Sequence, residues 1–316
     1  MALRYKKMLA SCGIDSGRVA LYGNFEIGQG LALINGLHEL IPEIEFIGYY
    51  DDPILSEAML TKDIEEVERL KAIGKTCAEI MELTVDYLRN HNTNSKKQLI
   101  NSNGQLLKIK DVKRKINLWL AERDCEIPQG YIFSIGKDAG IPHHEGDPES
   151  ILSLGMPIVF DFFPCEAGGG VYFDITRTWC LGFASDEVKQ IYQDVLETQL
   201  ELINQLEVGK DYNDFQKLAC ESFEGKGHPI ITNNPSLTSG YVHTIGHGVG
   251  LRLHERPFVG KNGDKLKQGM VFTIEPGLYY PEKGIGVRIE DTVYLGENGL
   301  EILADFPKDL IIEMKS

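Results

Sequence analysis

The 316 residues exceed the usual size of a single hydrophobic core, so one large domain and a small additional one are expected; 42% hydrophobic and 25% charged residues suit a globular protein and exclude disorder. The formal charge of −15, with no Lys/Arg run that makes a basic patch strong enough to reverse it, repels phosphate backbones, so nucleic acid is not an expected partner. No segment has the apolar length of a membrane span, and the basic amino terminus from Met1 to Cys12 is not followed by an apolar stretch, so a cytoplasmic protein without a membrane partner is expected.

In chain order, the first 60 residues carry two short apolar runs, Val19 to Tyr22 and Ile44 to Tyr50, around a Gly- and Leu-rich stretch from Gly28 to Leu40. This predicts a small α/β domain over 1–60, closed by the turn signal Asp51-Asp52-Pro53. A long amphipathic helix is predicted after Thr61 or Asp63, either of which can cap it, with Ile64, Val67, Leu70, Cys77, Ile80 and Leu88 on one face. Asn90 to Gly104 reads as an exposed polar loop, and a second helix resumes at Asp111 with Val112, Ile116, Trp119 and Leu120 inward. Beyond Pro128 the pattern is strand-like to Cys180. Ser185 then caps a third helix lined by Val188, Ile191, Val195, Leu202 and Leu206; a shorter one follows from Asp211, and strands return. The repeated order predicts a duplicated α+β unit over 61–316, with a site between its halves. The six cysteines, Cys12, Cys77, Cys125, Cys165, Cys180 and Cys220, form no C-x-x-C pair and are expected to be reduced and mostly buried.

Chemistry concentrates in carboxylates set among apolar residues. Val159 to Phe163 and Val171 to Thr176 read as paired strands of a hairpin, each with a central acid, Asp161 and Asp174. An acid there is disfavoured unless a cation neutralises it, although for either alone a solvated edge position is the commoner explanation. Glu275 follows the apolar run Val271 to Ile274, and Glu290 sits in Gly286 to Val293, where alternation puts Arg288 on its face, either to orient the carboxylate or as a plain surface ion pair. His243 and His247 are four apart, but the glycines between and after them make a helix improbable, so an extended segment is expected. His254 lies beyond, and His143-His144 follow Gly140-Ile141-Pro142; each histidine alone is more often structural.

Taken together, Asp161, Asp174, His247, Glu275 and Glu290 match in order and context the metal ligands of the pita-bread metallopeptidases, the family of methionine aminopeptidase, aminopeptidase P and prolidase. The resemblance runs from about residue 60 to the end. It is carried by Asp174 to Thr178 (D-I-T-R-T), Gly246 to Leu251 (G-H-G-V-G-L), His254 to Pro257 (H-E-R-P), Glu275 to Tyr279 (E-P-G-L-Y) and Gly286 to Asp291 (G-V-R-I-E-D).

The resemblance implies an α+β pita-bread catalytic domain with pseudo-twofold halves and two divalent metal ions, Mn²⁺ first, with Co²⁺, Zn²⁺ or Fe²⁺ as alternatives. Asp174 and Glu290 would bridge the ions, Asp161 completing one side and His247 with Glu275 the other. Glu275 would also carry the proton, and His143, His243 and His254 would contact substrate. His144 is a weaker alternative to His143. The implied activity is hydrolysis after the first residue of a short peptide where proline follows, as an Xaa-Pro aminopeptidase or dipeptidase, in a homodimer. A non-catalytic or metal-free, creatinase-like relative and a methionine-aminopeptidase-like specificity are the alternatives. The chain departs from the family pattern in a longer Asp161–Asp174 connection and a short amino-terminal domain. Phe258 also stands where some prolidases place an arginine, which favours peptides longer than dipeptides.

Overall fold

A computed structural model describes residues 1–23, 25–49, 53–259 and 264–315. The elements are, in order, helix α1 (Ala2–Ser11), strand β1 (Gly17–Ala20), α2 (Ile27–Leu40), β2 (Ile44–Ile47), α3 (Pro53–Met59), α4 (Ile64–Arg89), β3 (Asn92–Thr93), β4 (Leu99–Ile100) and α5 (Ile109–Ala121). Next come β5 (Cys125–Glu126), β6 (Ile132–Ile135), β7 (Pro157–Phe162), β8 (Cys165–Glu166), β9 (Ile175–Leu181), α6 (Asp186–Gln205) and α7 (Tyr212–Gly225). The chain closes with β10 (His247–Gly248), β11 (Glu255–Phe258), β12 (Val271–Ile274), β13 (Gly277–Tyr280), β14 (Ile285–Arg288), β15 (Asp291–Gly296), β16 (Gly299–Ile302) and β17 (Ile311–Ile312).

Two compact units result, Met1–Ala58 and Met59–Ser316. In the first, β1 and β2 pair in parallel, and Leu9 of α1 with Leu33 and Leu37 of α2 join Ile44 and Phe46 in a small core. Tyr50 and the expected Asp51-Asp52 turn lie outside the described residues.

The second unit is built twice. One core packs α4 and α5 against the sheet β17-β9-β7-β6; the other packs α6 and α7 against β11-β10-β12-β15-β16. The caps follow from side chains that satisfy the free amides of a first turn. Asp63, rather than Thr61, closes a reciprocal box with Glu66, each donating a backbone N–H to the other's carboxylate at 2.9 Å. Ser185 Oγ accepts from Val188 N at 3.2 Å, and Asp211 from Asn213 N at 2.9 Å. Val67, Leu70, Cys77, Ile80 and Leu88 are buried as expected, but Ile64 is exposed because it lies in the first turn, before α4 reaches the core.

Two further differences have physical causes. The polar stretch Asn90 to Gly104 contains the β3–β4 hairpin, pinned by Leu99, which is fully buried. Asp161 and Asp174 do not both sit inside paired strands: Asp161 lies in β7 opposite Thr176 of β9, and Asp174 precedes β9. Between them the chain leaves the sheet so that β8 can pair with β5, which accounts for the long connection. All six cysteines are free; Cys12 is exposed and the others are buried.

Candidate metal centre

Strand β7 is buried throughout except at Asp161, where the side chain looks into a cleft of about 860 Å³. The same cleft is lined by Asp174, His247, Glu275, Glu290, Arg288, His143, His243 and His254, so every residue singled out in the sequence for metal or substrate reaches one cavity except His144, which lies apart beside Asp138. Asp174, His247 and Glu290 each offer a ligand atom within 4.8 Å of the others. His247 Nε2 stands 3.7 Å from Asp174 Oδ2 and 3.5 Å from Glu275 Oε1.

Both halves contribute to this geometry. Glu290 lies in the break between β14 and β15, where its N–H donates to Thr176 O at 3.0 Å and its carboxylate accepts from Thr176 Oγ1 at 2.6 Å. Thr292 Oγ1 donates to Asp174 O at 2.7 Å, and Thr178 Oγ1 to Arg288 O at 2.9 Å. Buried Arg177 pairs with Asp291 at 2.8 Å and donates to Glu290 O at 2.6 Å. In the sequence Thr176, Arg177, Thr178 and Asp291 stand only as members of the resembling runs, with no role of their own; the signal for one was polar residues persisting through strand β9.

In the second half, His247 N donates to Thr273 Oγ1 at 3.1 Å, and Glu275 N to Ile245 O at 2.9 Å, which fastens both residues to β12 and its end. Gly246 is required by this approach: a Cβ there would lie 2.2 Å from Thr273 O. His247 Nδ1 meets Gly248 O at 3.1 Å, so its proton belongs on Nδ1 and the Nε2 lone pair faces the carboxylates. His243 Nδ1 likewise meets Thr244 O at 2.7 Å; on a neutral ring its buried Nε2 accepts a hydrogen bond rather than donating one.

Arg288 does not clamp Glu290 directly. Its guanidinium pairs with Asp161 Oδ2 at 2.6 Å and donates to Pro142 O at 3.1 Å, next to His143, and to the Tyr279 hydroxyl. It reaches Glu290 only through Thr176 Oγ1, at 3.3 Å.

The electrostatics mark a site built for added positive charge. Burial, then repulsion from Glu290, Asp161 and Glu275, pushes the Asp174 carboxyl well above its usual range. Burial, followed by Glu275 and Asp161, does the same for Glu290. Glu275 rises to about 8, mainly through burial and despite the opposing effect of Arg288. Burial lowers His243 and His247 to about 3, and depresses His143 and His254, so these rings are neutral near pH 7. Asp161 Oδ1, Asp174 Oδ1 and Glu290 Oε1 are buried without a hydrogen-bond partner. Unpaired carboxylate oxygens beside an imidazole lone pair are the donor set of a hard divalent cation, so the residues fit a metal centre.

Comparison with known proteins gives the family and the fold. The model of metallopeptidase family M24 matches residues 68–297. The Xaa-Pro dipeptidase of Pyrococcus furiosus is 30% identical over 266 residues, covering 82% of this chain and 67% of that protein. The uncharacterized peptidase YqhT of Bacillus subtilis is 33% identical over 187 residues, covering 57% of this chain and 48% of its own. Among solved structures, a dipeptidase from Pyrococcus horikoshii superposes with a TM-score of 0.79 at 26% identity, over 98% of this chain and 78% of that one. An X-Pro aminopeptidase from Thermotoga maritima superposes with a TM-score of 0.77 at 25% identity, over 99% and 79%. The fold is the pita-bread fold of these proteins.

Proposed function

Because the chain belongs to metallopeptidase family M24, we propose that it acts with two divalent metal ions to release the first residue of a short peptide whose second residue is proline. One observation carries the reading: three buried, unpartnered carboxylate oxygens, on Asp161, Asp174 and Glu290, line one cleft with the Nε2 of His247. The relatives named Xaa-Pro dipeptidase and X-Pro aminopeptidase support the proline preference.

Asp161, Asp174, His247, Glu275 and Glu290 would hold the ions, with Mn²⁺ the first choice and Co²⁺, Zn²⁺ or Fe²⁺ compatible with the same oxygen-rich donors. When bound, they supply Lewis acidity that polarises the scissile carbonyl and makes water nucleophilic near neutral pH. The chain's own groups do the rest. Glu275, 3.5 Å from His247 Nε2, carries a proton to the leaving nitrogen. His143 and His254, exposed at the cleft rim, donate to the substrate carbonyl as charge builds on its oxygen. Arg288 keeps Asp161 oriented through their ion pair. Among the described cleft-lining residues, Arg288 is the sole Lys or Arg and is already engaged by Asp161, while Phe258 and Val259 give an apolar wall. That balance favours a peptide continuing past proline over a dipeptide's free carboxylate.

The test is a panel of Xaa-Pro dipeptides, Xaa-Pro tripeptides and Met-Ala peptides with Mn²⁺, Co²⁺ and Zn²⁺ in turn. Release of the first residue from the tripeptides above all is the expected result. Cleavage of the Met-Ala peptides alone would overturn the substrate assignment.

A further inference from the structure

Lys62 and Glu255 form an ion pair far into the protein, with side chains 5% and 3% exposed. Burying two charges is costly, and the pair persists because each end keeps further partners. Lys62 Nζ also donates to Met59 O at 2.9 Å, and the second carboxylate oxygen of Glu255 accepts from Arg252 N at 3.1 Å. That bond closes the turn leading into β11. Gly250 packs on the same carboxylate, where a Cβ would lie 2.6 Å from Glu255 Oε1, and it accepts from Tyr172 N at 2.7 Å.

Glu255 opens β11, and its neighbour His254 lines the cleft. His254, the last residue of the bend before β11, is exposed and lines the cleft while Glu255 is buried, so one turn sends Glu255 inward and His254 toward the cleft. Among the described residues nothing hydrogen-bonds the His254 ring; its place is set by the backbone and by edge-on contact with His247, at 4.2 Å between centroids and 73° between planes. A ring so placed is only as well positioned as the turn that carries it.

We infer that Lys62 and Glu255 are positioning residues for His254: their buried pair locks the 250–255 turn and so fixes the imidazole that faces substrate. The inference rests on the reading of His254 as a substrate contact. Neither residue touches the cleft itself.

The test is a cycle in Zn²⁺-loaded protein: K62M and E255Q, each alone and combined with H254A. It is read by kcat and KM on an Xaa-Pro tripeptide and by the ring resonances of ¹³C-labelled histidines. K62M is expected to lower kcat about ten- to hundredfold with KM little changed, since small displacements of a catalytic group cost that much. In the H254A background the same substitution should change kcat by less than about twofold, because coupled residues are not additive. The His254 resonance should move while that of His91 stays fixed. Losses that multiply, or a His254 resonance unmoved by K62M, would overturn the inference. If K62M does not fold, E255Q keeps the side-chain shape, removes the charge and carries the same cycle to the same two outcomes. Should the wild-type protein release nothing from Xaa-Pro peptides, the peptidase reading fails, while the ring resonance still decides the positioning role.

Discussion

Asp174, Glu275 and Glu290 hold their protons unusually tightly in the folded chain, and this has a consequence for stability. A carboxyl whose pKa is raised by folding stabilises the fold fully below its ordinary value, near 4.5, and that contribution is lost as pH climbs through about 8 for Glu275. His243 and His247 run oppositely: lowered from 6.5 to about 3, they favour the fold above 6.5 and lose that contribution as pH falls toward 3. Between pH 6.5 and 8 the carboxylates therefore set the slope. In excess chelator the Tm is expected to fall by a few degrees across that window, and added Mn²⁺ should flatten it. A chelated Tm that stays level or rises would refute the electrostatic account. The acids themselves were legible in the sequence because charge inside apolar runs demands a cause. Their partners were not. Alternation through 286–293 assigned Arg288 to Glu290, but the strand breaks after Arg288, where Glu290 N turns to Thr176 O and the guanidinium reaches Asp161 instead. The bonding role of Thr176 and Thr178 could not be read, although both stand in the D-I-T-R-T run, because a β-branched residue is equally at home in any strand.

At the scale of elements, the two-residue strand β10 carries His247, and its placement depends on two glycines. Gly248 pairs with Phe272 of β12, and Gly246 lets the backbone approach Thr273 O and the Tyr212 hydroxyl. G246A should push His247 off β12 and weaken metal affinity about ten- to hundredfold, as losses around metal ligands commonly do. Calorimetric titration with Mn²⁺ measures this, and unaltered affinity would show that the close approach is dispensable. Long helices were readable from their caps and periodicity, with Asp63 and Ser185 starting α4 and α6 where expected. The short pieces were not: the β3–β4 hairpin hides in polar sequence because Leu99 is nearly its sole apolar anchor, and α1 lacks a continuous apolar stripe, with Leu9 its one buried residue. The β8 excursion was invisible because nothing in Cys165-Glu166 names β5 as its partner.

For the whole molecule, the order of helices and strands was enough to expect a duplicated α+β unit, and the second unit has two main cores among its described residues, each with its own pair of helices and its own sheet. The cleft draws Asp161 and Asp174 from the first half and His247, Glu275 and Glu290 from the second. Four carboxylates gathered from separate halves repel one another unless cations join them, so metal, halves and activity belong to one equilibrium. Among the described residues no helix is long and apolar enough to cross a membrane. The most direct test is to titrate the stripped protein with Mn²⁺ while following release of the first residue from an Xaa-Pro tripeptide. The account predicts no release in excess chelator and a rate that saturates as two ions per chain are taken up; full activity in chelator, or saturation without metal uptake, would contradict it.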